Sequence, residues 1–160
     1  MAAILSPSDK LAQRLALGVP ALALGFAYTS QYGFGLFPCE MCWWQRYPHF
    51  VAIALALVST FAAPRRVWIG LAALAIAVSG AIAVFHAGVE YGWWEGVTAC
   101  TNRPDMSGGD TLEAIFNAPI VRCDVPPFEV LGLSMAGMNA LFSIGSAAVI
   151  AALLLRKDPK

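Results

Sequence analysis

Charge is scarce in this chain. Its 160 residues include ten Lys plus Arg and ten Asp plus Glu, and the formal net charge is zero. A balanced and thin charge set gives no long-range field to draw in nucleic acid or an acidic substrate, so neither is expected as a partner. Cysteine is also rare, and it is absent from every long apolar run and from every connection expected on the inner side of a membrane. No clear A-x-A site ends the first apolar run, which is long for the core of a cleavable leader, so that run is expected to stay as a span. What fills the chain instead is hydrocarbon: 59% of residues are hydrophobic, 12% are charged, and the mean hydropathy is +0.67. Such a composition belongs to a protein that has lipid for a solvent.

Crossing a bilayer as a helix takes roughly 20 mostly apolar residues. Four stretches approach that length, at residues 15–32, 47–63, 67–89 and 131–155. The expected fold is therefore an all-α integral membrane four-helix bundle in a single domain over residues 1–160. Pro48 and His49 fall near the start of the second stretch, where a proline is cheap and a histidine suits interfacial packing. Lys10, Arg14, Arg65, Arg66, Arg156, Lys157 and Lys160 fall on one side of this frame, against Arg46, Arg103 and Arg122 on the other. Basic residues in short connections stay on the cytoplasmic side, so both termini are expected inside. Two loops then face outward, at about 33–46 and 90–130. In the longer one, Arg103-Pro104-Asp105 and Ser107-Gly108-Gly109 signal turns. Asp110 and Glu113 form a capping-box pattern ahead of Leu112, Ile115 and Phe116, so one short interfacial helix is expected there.

All four cysteines, Cys39, Cys42, Cys100 and Cys123, lie in these outer loops, two in each. Outside the cytosol cysteines persist as disulfides, and proximity favours Cys39 with Cys42 and Cys100 with Cys123 among three possible pairings. Structural stapling and a four-thiolate zinc site are the alternatives. A bridge between Cys39 and Cys42 closes too short a loop to remove much chain entropy, and C-x-x-C is the usual redox-active spacing. If the second helix begins near Pro38 or Cys39, Cys42 and Arg46 share one face with the sulfur near the positive helix end, and both features favour a thiolate. Anchoring to lipid phosphate is the other use for Arg46. His86 is an ionisable residue in an apolar run and a functional candidate on that ground. Most of the aromatic residues at the outer boundary fit an interfacial belt, and Trp43, Trp44 and Tyr47 are kept as pocket candidates because they adjoin Arg46.

Cys39-Glu40-Met41-Cys42-Trp43-Trp44-Gln45-Arg46 resembles the C-x-x-C-x-x-x-R motif of the bacterial disulfide bond formation protein B family. His86-Ala87-Gly88-Val89-Glu90, the two separated loop cysteines, and Leu131-Gly132-Leu133-Ser134-Met135 agree with it in order along nearly the whole chain. Phe128 departs from the pattern, since many members carry tryptophan there. The resemblance implies an inner-membrane protein with periplasmic cysteine loops that helps to keep the bacterial periplasm oxidising. It implies that Cys100 and Cys123 take electrons from a soluble, periplasmic thioredoxin-fold dithiol oxidase of the DsbA kind. Cys39 and Cys42 would reoxidise that pair, and a quinone, ubiquinone or menaquinone, would accept the electrons beside Cys42, Arg46 and His86. No metal is implied. A quinone reductase like the vitamin K epoxide reductases shares the four-helix frame, but its C-x-x-C usually lies late in the chain and here it lies early. A four-span scaffold with stapled loops is the non-enzymatic alternative.

Overall fold

The computed structural model describes residues 6–98 and 121–156. Four long helices follow one another: α1 at Pro7–Phe34, α2 at Glu40–Phe61, α3 at Arg65–Glu90 and α4 at Met135–Leu155. Each starts for a local reason. Ser6 caps α1 by accepting the Asp9 N–H at 3.2 Å, with Pro7 in the first turn, where its missing N–H costs nothing. Ser134 caps α4 by accepting the Gly137 N–H at 3.1 Å. Gly35 ends α1 in the left-handed conformation at φ 69°, which a side chain would disfavour.

Even the 21-residue α4 reaches about 31 Å at 1.5 Å per residue, close to the roughly 30 Å of a hydrocarbon core. Among the described residues, α1, α3 and α4 are long and apolar enough to cross a membrane. Helix α2 is as long, but Glu40, Gln45, Arg46 and His49 occupy its first half.

The helices outrun the apolar stretches that announced them. Helix α1 begins eight residues before 15 and carries Lys10 and Arg14, because a helix continues past the hydrocarbon into the polar interface. Helix α2 begins at Glu40, so Pro48 stands in its interior rather than its first turn and takes one amide from the ladder. The fourth stretch is corrected the other way: α4 starts at Met135, not 131. Residues 129–134 instead form a two-stranded antiparallel ribbon, β1 at Glu129–Val130 and β2 at Leu133–Ser134, pairing Glu129 with Ser134. Its turn is Leu131-Gly132 at φ 53° and 78°, the double positive φ that a two-residue hairpin requires. The short helix expected near Asp110 lies outside the described residues.

One core joins all four helices. Ala12, Ala16 and Val19 of α1 meet Ala52 and Ala56 of α2, Ile69, Ala72 and Ile76 of α3, and Ala147 and Ile150 of α4. The dominance of alanine lets backbones approach closely, which is how helices gain contact where lipid removes the hydrophobic drive. Arg66 joins the basic end together, paired with Asp9 at 3.2 Å and donating to the Leu154 carbonyl. A second cluster, Cys39, Met41, Val89 and Cys123, is buried at the opposite end.

That end is closed by Trp94, which stacks on Phe85 at 5.8 Å, donates to the Phe85 carbonyl at 2.8 Å, and lies across Gly88. A methyl at Gly88 would overlap the indole, so Gly88→Ala is expected to expel Trp94 and cost about 1–3 kcal/mol. Thermal unfolding in detergent together with tryptophan fluorescence checks this; an unchanged midpoint and emission maximum would refute it.

Candidate functional site

Cys39 is the N-cap of α2, and its sulfur accepts the Cys42 N–H at 3.3 Å. A cysteine at the cap and another three residues on necessarily meet above the first turn. Their sulfurs are 3.1 Å apart, with the Cys39 S–H donating to Cys42, and both are free thiols. Both precede the apolar part of α2. The donated hydrogen holds the Cys42 thiol below its ordinary range, with the capped backbone and the Arg46 charge acting in the same direction and burial and Glu90 opposing. The same bond, together with burial, pushes Cys39 well above its ordinary range. The pair is therefore polarised, with negative charge belonging to Cys42.

Arg46 lies one turn below Cys42 on the same face and is only 6% exposed. Its guanidinium donates to Gln31 Oε1 at 2.7 Å and the Ala27 carbonyl at 3.3 Å, and sits 4.9 Å from the rings of both Tyr28 and Trp43. Among the described residues no carboxylate pairs with it. Neutral oxygens and ring faces stabilise this buried cation while leaving its charge uncancelled.

His86, 2% exposed, reaches across from α3. Gln45 Nε2 donates to the Met41 carbonyl at 3.3 Å and to His86 Nδ1 at 2.8 Å. A carbonyl can only accept, so that end of the amide is nitrogen and His86 Nδ1 must accept as well. The ring proton then sits on Nε2, 3.6 Å from the Cys39 sulfur and 3.7 Å from Glu90 Oε1. Gln45 Oε1 in turn takes a hydrogen bond from Asn139 of α4 at 2.8 Å. Gln45→Leu would leave His86 Nδ1 without its partner and Asn139 Nδ2 with only the longer bond to Ser79 Oγ at 3.3 Å. A loss of about 1–3 kcal/mol in detergent unfolding is expected, and no loss would mean that these groups re-pair.

Cys123 is fully buried against Cys39 and Met41, and it is disulfide-bonded. A four-thiolate zinc site therefore does not fit, although Cys39, Cys42 and His86 have ligand atoms within 4.8 Å of one another. Cys100 lies outside the described residues. Beside the dithiol opens a cavity of about 510 Å³, whose polar lining is Cys42, Gln45, Arg46, His49, His86, Glu90 and Asn139. The rest of the wall is apolar, and exposed Leu22 and Phe26 of α1 and Phe142 of α4 border it.

Of the residues singled out from sequence, Cys39, Cys42, Arg46 and His86 converge here and Cys123 abuts them. Trp43 stacks on Arg46 without lining the cavity. Trp44 and Tyr47 do not line this cavity; they border a separate hollow with Val51, Leu74 and Val78 on the outer side of α2 and α3. At roughly 100° per residue, position 44 points about 200° away from 42. His49 is likewise not interfacial packing; it is 3% exposed and bonded to Ser79 at 3.0 Å. Gln45, His49, Glu90 and Asn139 were missed. Positions 42, 45, 46 and 49 follow the i, i+3, i+4, i+7 rule for one helix face, and that spacing of polar residues in an apolar run was the available signal.

A polarised dithiol beside an apolar-walled cavity, carried on helices of membrane-crossing length, defines a membrane protein of thiol–disulfide exchange. The chain belongs to the disulfide bond formation protein DsbB family, whose model it matches over residues 9–153. Membership makes it a membrane disulfide oxidoreductase. It is also similar to the uncharacterized protein RP370 of Rickettsia prowazekii (strain Madrid E), with 25% identity over 140 residues covering 84% of this chain and 81% of that one. No solved structure matches it.

Proposed function

We propose that this protein is a thiol:quinone oxidoreductase of the bacterial inner membrane, a four-span bundle with cytoplasmic termini and periplasmic cysteine loops. Cys42 and Arg46, a cation with no carboxylate partner among the described residues, line one cavity, and this carries the reading. Its volume falls within the range of small-molecule sites, and its mostly apolar wall with a few polar groups suits a flat quinone ring. Exposed Leu22, Phe26 and Phe142 at its border suit a site entered from lipid, where a quinone's tail resides. A quinone bound there supplies a two-electron, two-proton acceptor.

The chain's own residues divide the remaining work. A reduced thioredoxin-fold dithiol oxidase of the periplasm gives two electrons to the Cys100–Cys123 disulfide and becomes a disulfide itself, with Cys100 forming the transient mixed disulfide. Cys123 is packed on Cys39, so exchange between the loop pair and the C-x-x-C pair runs through Cys39. The His86 Nε2–H faces that sulfur and favours its charge when it is displaced as thiolate. Cys42 faces the cavity and keeps the charge, with Arg46 compensating it. As Cys39 and Cys42 close from two thiols to a disulfide, Cys42 would give up the two electrons, and a quinone held beside Cys42 and Arg46 would supply the acceptor for them and for the two protons released.

Quinone reduction followed optically tests this, with purified protein in detergent and a reduced dithiol oxidase as donor. Turnover with ubiquinone or menaquinone is expected. Silence with both would overturn the oxidase reading in favour of the scaffold, and flow from quinol to protein disulfides would favour the reductase direction.

A further inference from the structure

The backbone carbonyl that orients Gln45 also sets the second histidine. With Gln45 Oε1 accepting from Asn139 Nδ2, the other end of Asn139 is oxygen, and it accepts from Ser143 Oγ at 2.8 Å and His49 Nε2 at 3.3 Å. Ser79 gives its hydrogen to the Gln45 carbonyl at 2.8 Å, so its oxygen is a second acceptor for His49 Nε2, at 3.0 Å. Two acceptors around Nε2 put the ring's proton there, and a neutral imidazole has only one. His49 Nδ1 is thus a bare acceptor. It is buried and has no partner among the described residues, and His49 is one of the residues lining the cavity. A buried acceptor without a donor is unfavourable, which makes Nδ1 a site waiting for an O–H or N–H.

We propose that His49 Nδ1 accepts a hydrogen bond from a ring hydroxyl in the cavity, so that the site holds the dihydroxy, reduced form of a quinone more tightly than the dione. This rests on reading the cavity as a quinone site. The dione presents only carbonyl lone pairs, which would face the lone pair of Nδ1; the reduced ring presents O–H. One hydrogen bond gained by the reduced form alone corresponds to about tenfold in affinity. For a two-electron couple, tenfold raises the potential of the bound ring by about 30 mV and makes it a better acceptor for the dithiol. His49 is in this sense a specificity-determining residue, acting on the redox state of the ligand.

The test is an anaerobic titration of the full-length protein in detergent, with its cysteine pairs oxidised so that the dione finds no electrons to take. Quenching of tryptophan fluorescence reports binding of a decyl-tailed ubiquinol or ubiquinone. Wild type is expected to bind the quinol about tenfold more tightly. His49→Gln, whose amide reaches the Nε2 position but places nothing at Nδ1, is expected to bind both forms equally. His49→Asn, which places an oxygen near Nδ1, is expected to keep the preference. A preference that survives His49→Gln, or one absent from wild type, overturns the proposal and leaves the cavity a quinone site. Failure of wild type to bind either form overturns both readings.

Discussion

Cys42→Ser is expected to reduce quinone turnover to background, a loss on the order of 10⁴-fold or more, as removal of a reacting group from a concerted set does. The reason is the asymmetry of the pair. Cys42 carries the polarised sulfur and lines the cavity, whereas Cys39 is buried against Cys123 on the other side. Serine cannot supply a thiolate, so no electrons can leave for the ring whatever the state of the loop pair. Cys39→Ser should fail differently. Cys42 keeps a hydroxyl donor at the cap and remains a nucleophile, so it should still be alkylated readily by iodoacetamide. Turnover stops in that variant because no disulfide can close. Optical quinone assays combined with mass spectrometry of alkylated protein distinguish the two. Substantial turnover by Cys42→Ser would mean that Cys39 faces the acceptor, contrary to the burial seen here.

Much of this site could be read from the sequence because its chemistry is local. The C-x-x-C spacing and the arginine four residues on fix a cap, a first turn and one helix face, and Glu40 indeed opens α2 with Cys39 as its cap. What could not be read comes from two sources. Trp44 and Tyr47 adjoin Arg46 along the chain but not in space, because the helix turns them away from the cavity. Glu90 and Asn139 arrive from α3 and α4, and nothing in the local pattern says which polar residue of one helix will meet Gln45 of another. The apolar runs located the four helices but not their ends. Lys10 and Arg14 lie within α1, and Leu131-Gly132 forms a turn where the fourth run was expected to begin. Hydropathy measures where lipid is tolerated, while caps and positive-φ turns decide where a helix starts.

Arg46→Ala is expected to lower kcat/KM for quinone by roughly 10–100-fold, with most of the loss in KM. This cation is buried, held by Gln31, the Ala27 carbonyl and the rings of Tyr28 and Trp43, with no acid partner among the described residues. An arginine serving only to anchor lipid phosphate would not need a cage of neutral acceptors around it. On the proposed reading its charge favours the Cys42 thiolate and would offset negative charge on a quinone bound beside it. Arg46 lowers the Cys42 pKa, so removing it raises that pKa, and the thiolate fraction at any given pH below it falls. The pH profile of Cys42 alkylation should therefore move to higher pH in Arg46→Ala, and Arg46→Lys should restore most of it by keeping the charge. Unfolding stability should change little, because the substitution removes a buried charge rather than stranding one. An unmoved alkylation profile with an unmoved KM would return Arg46 to the lipid interface and leave Cys42 polarised by Cys39 and the helix cap alone.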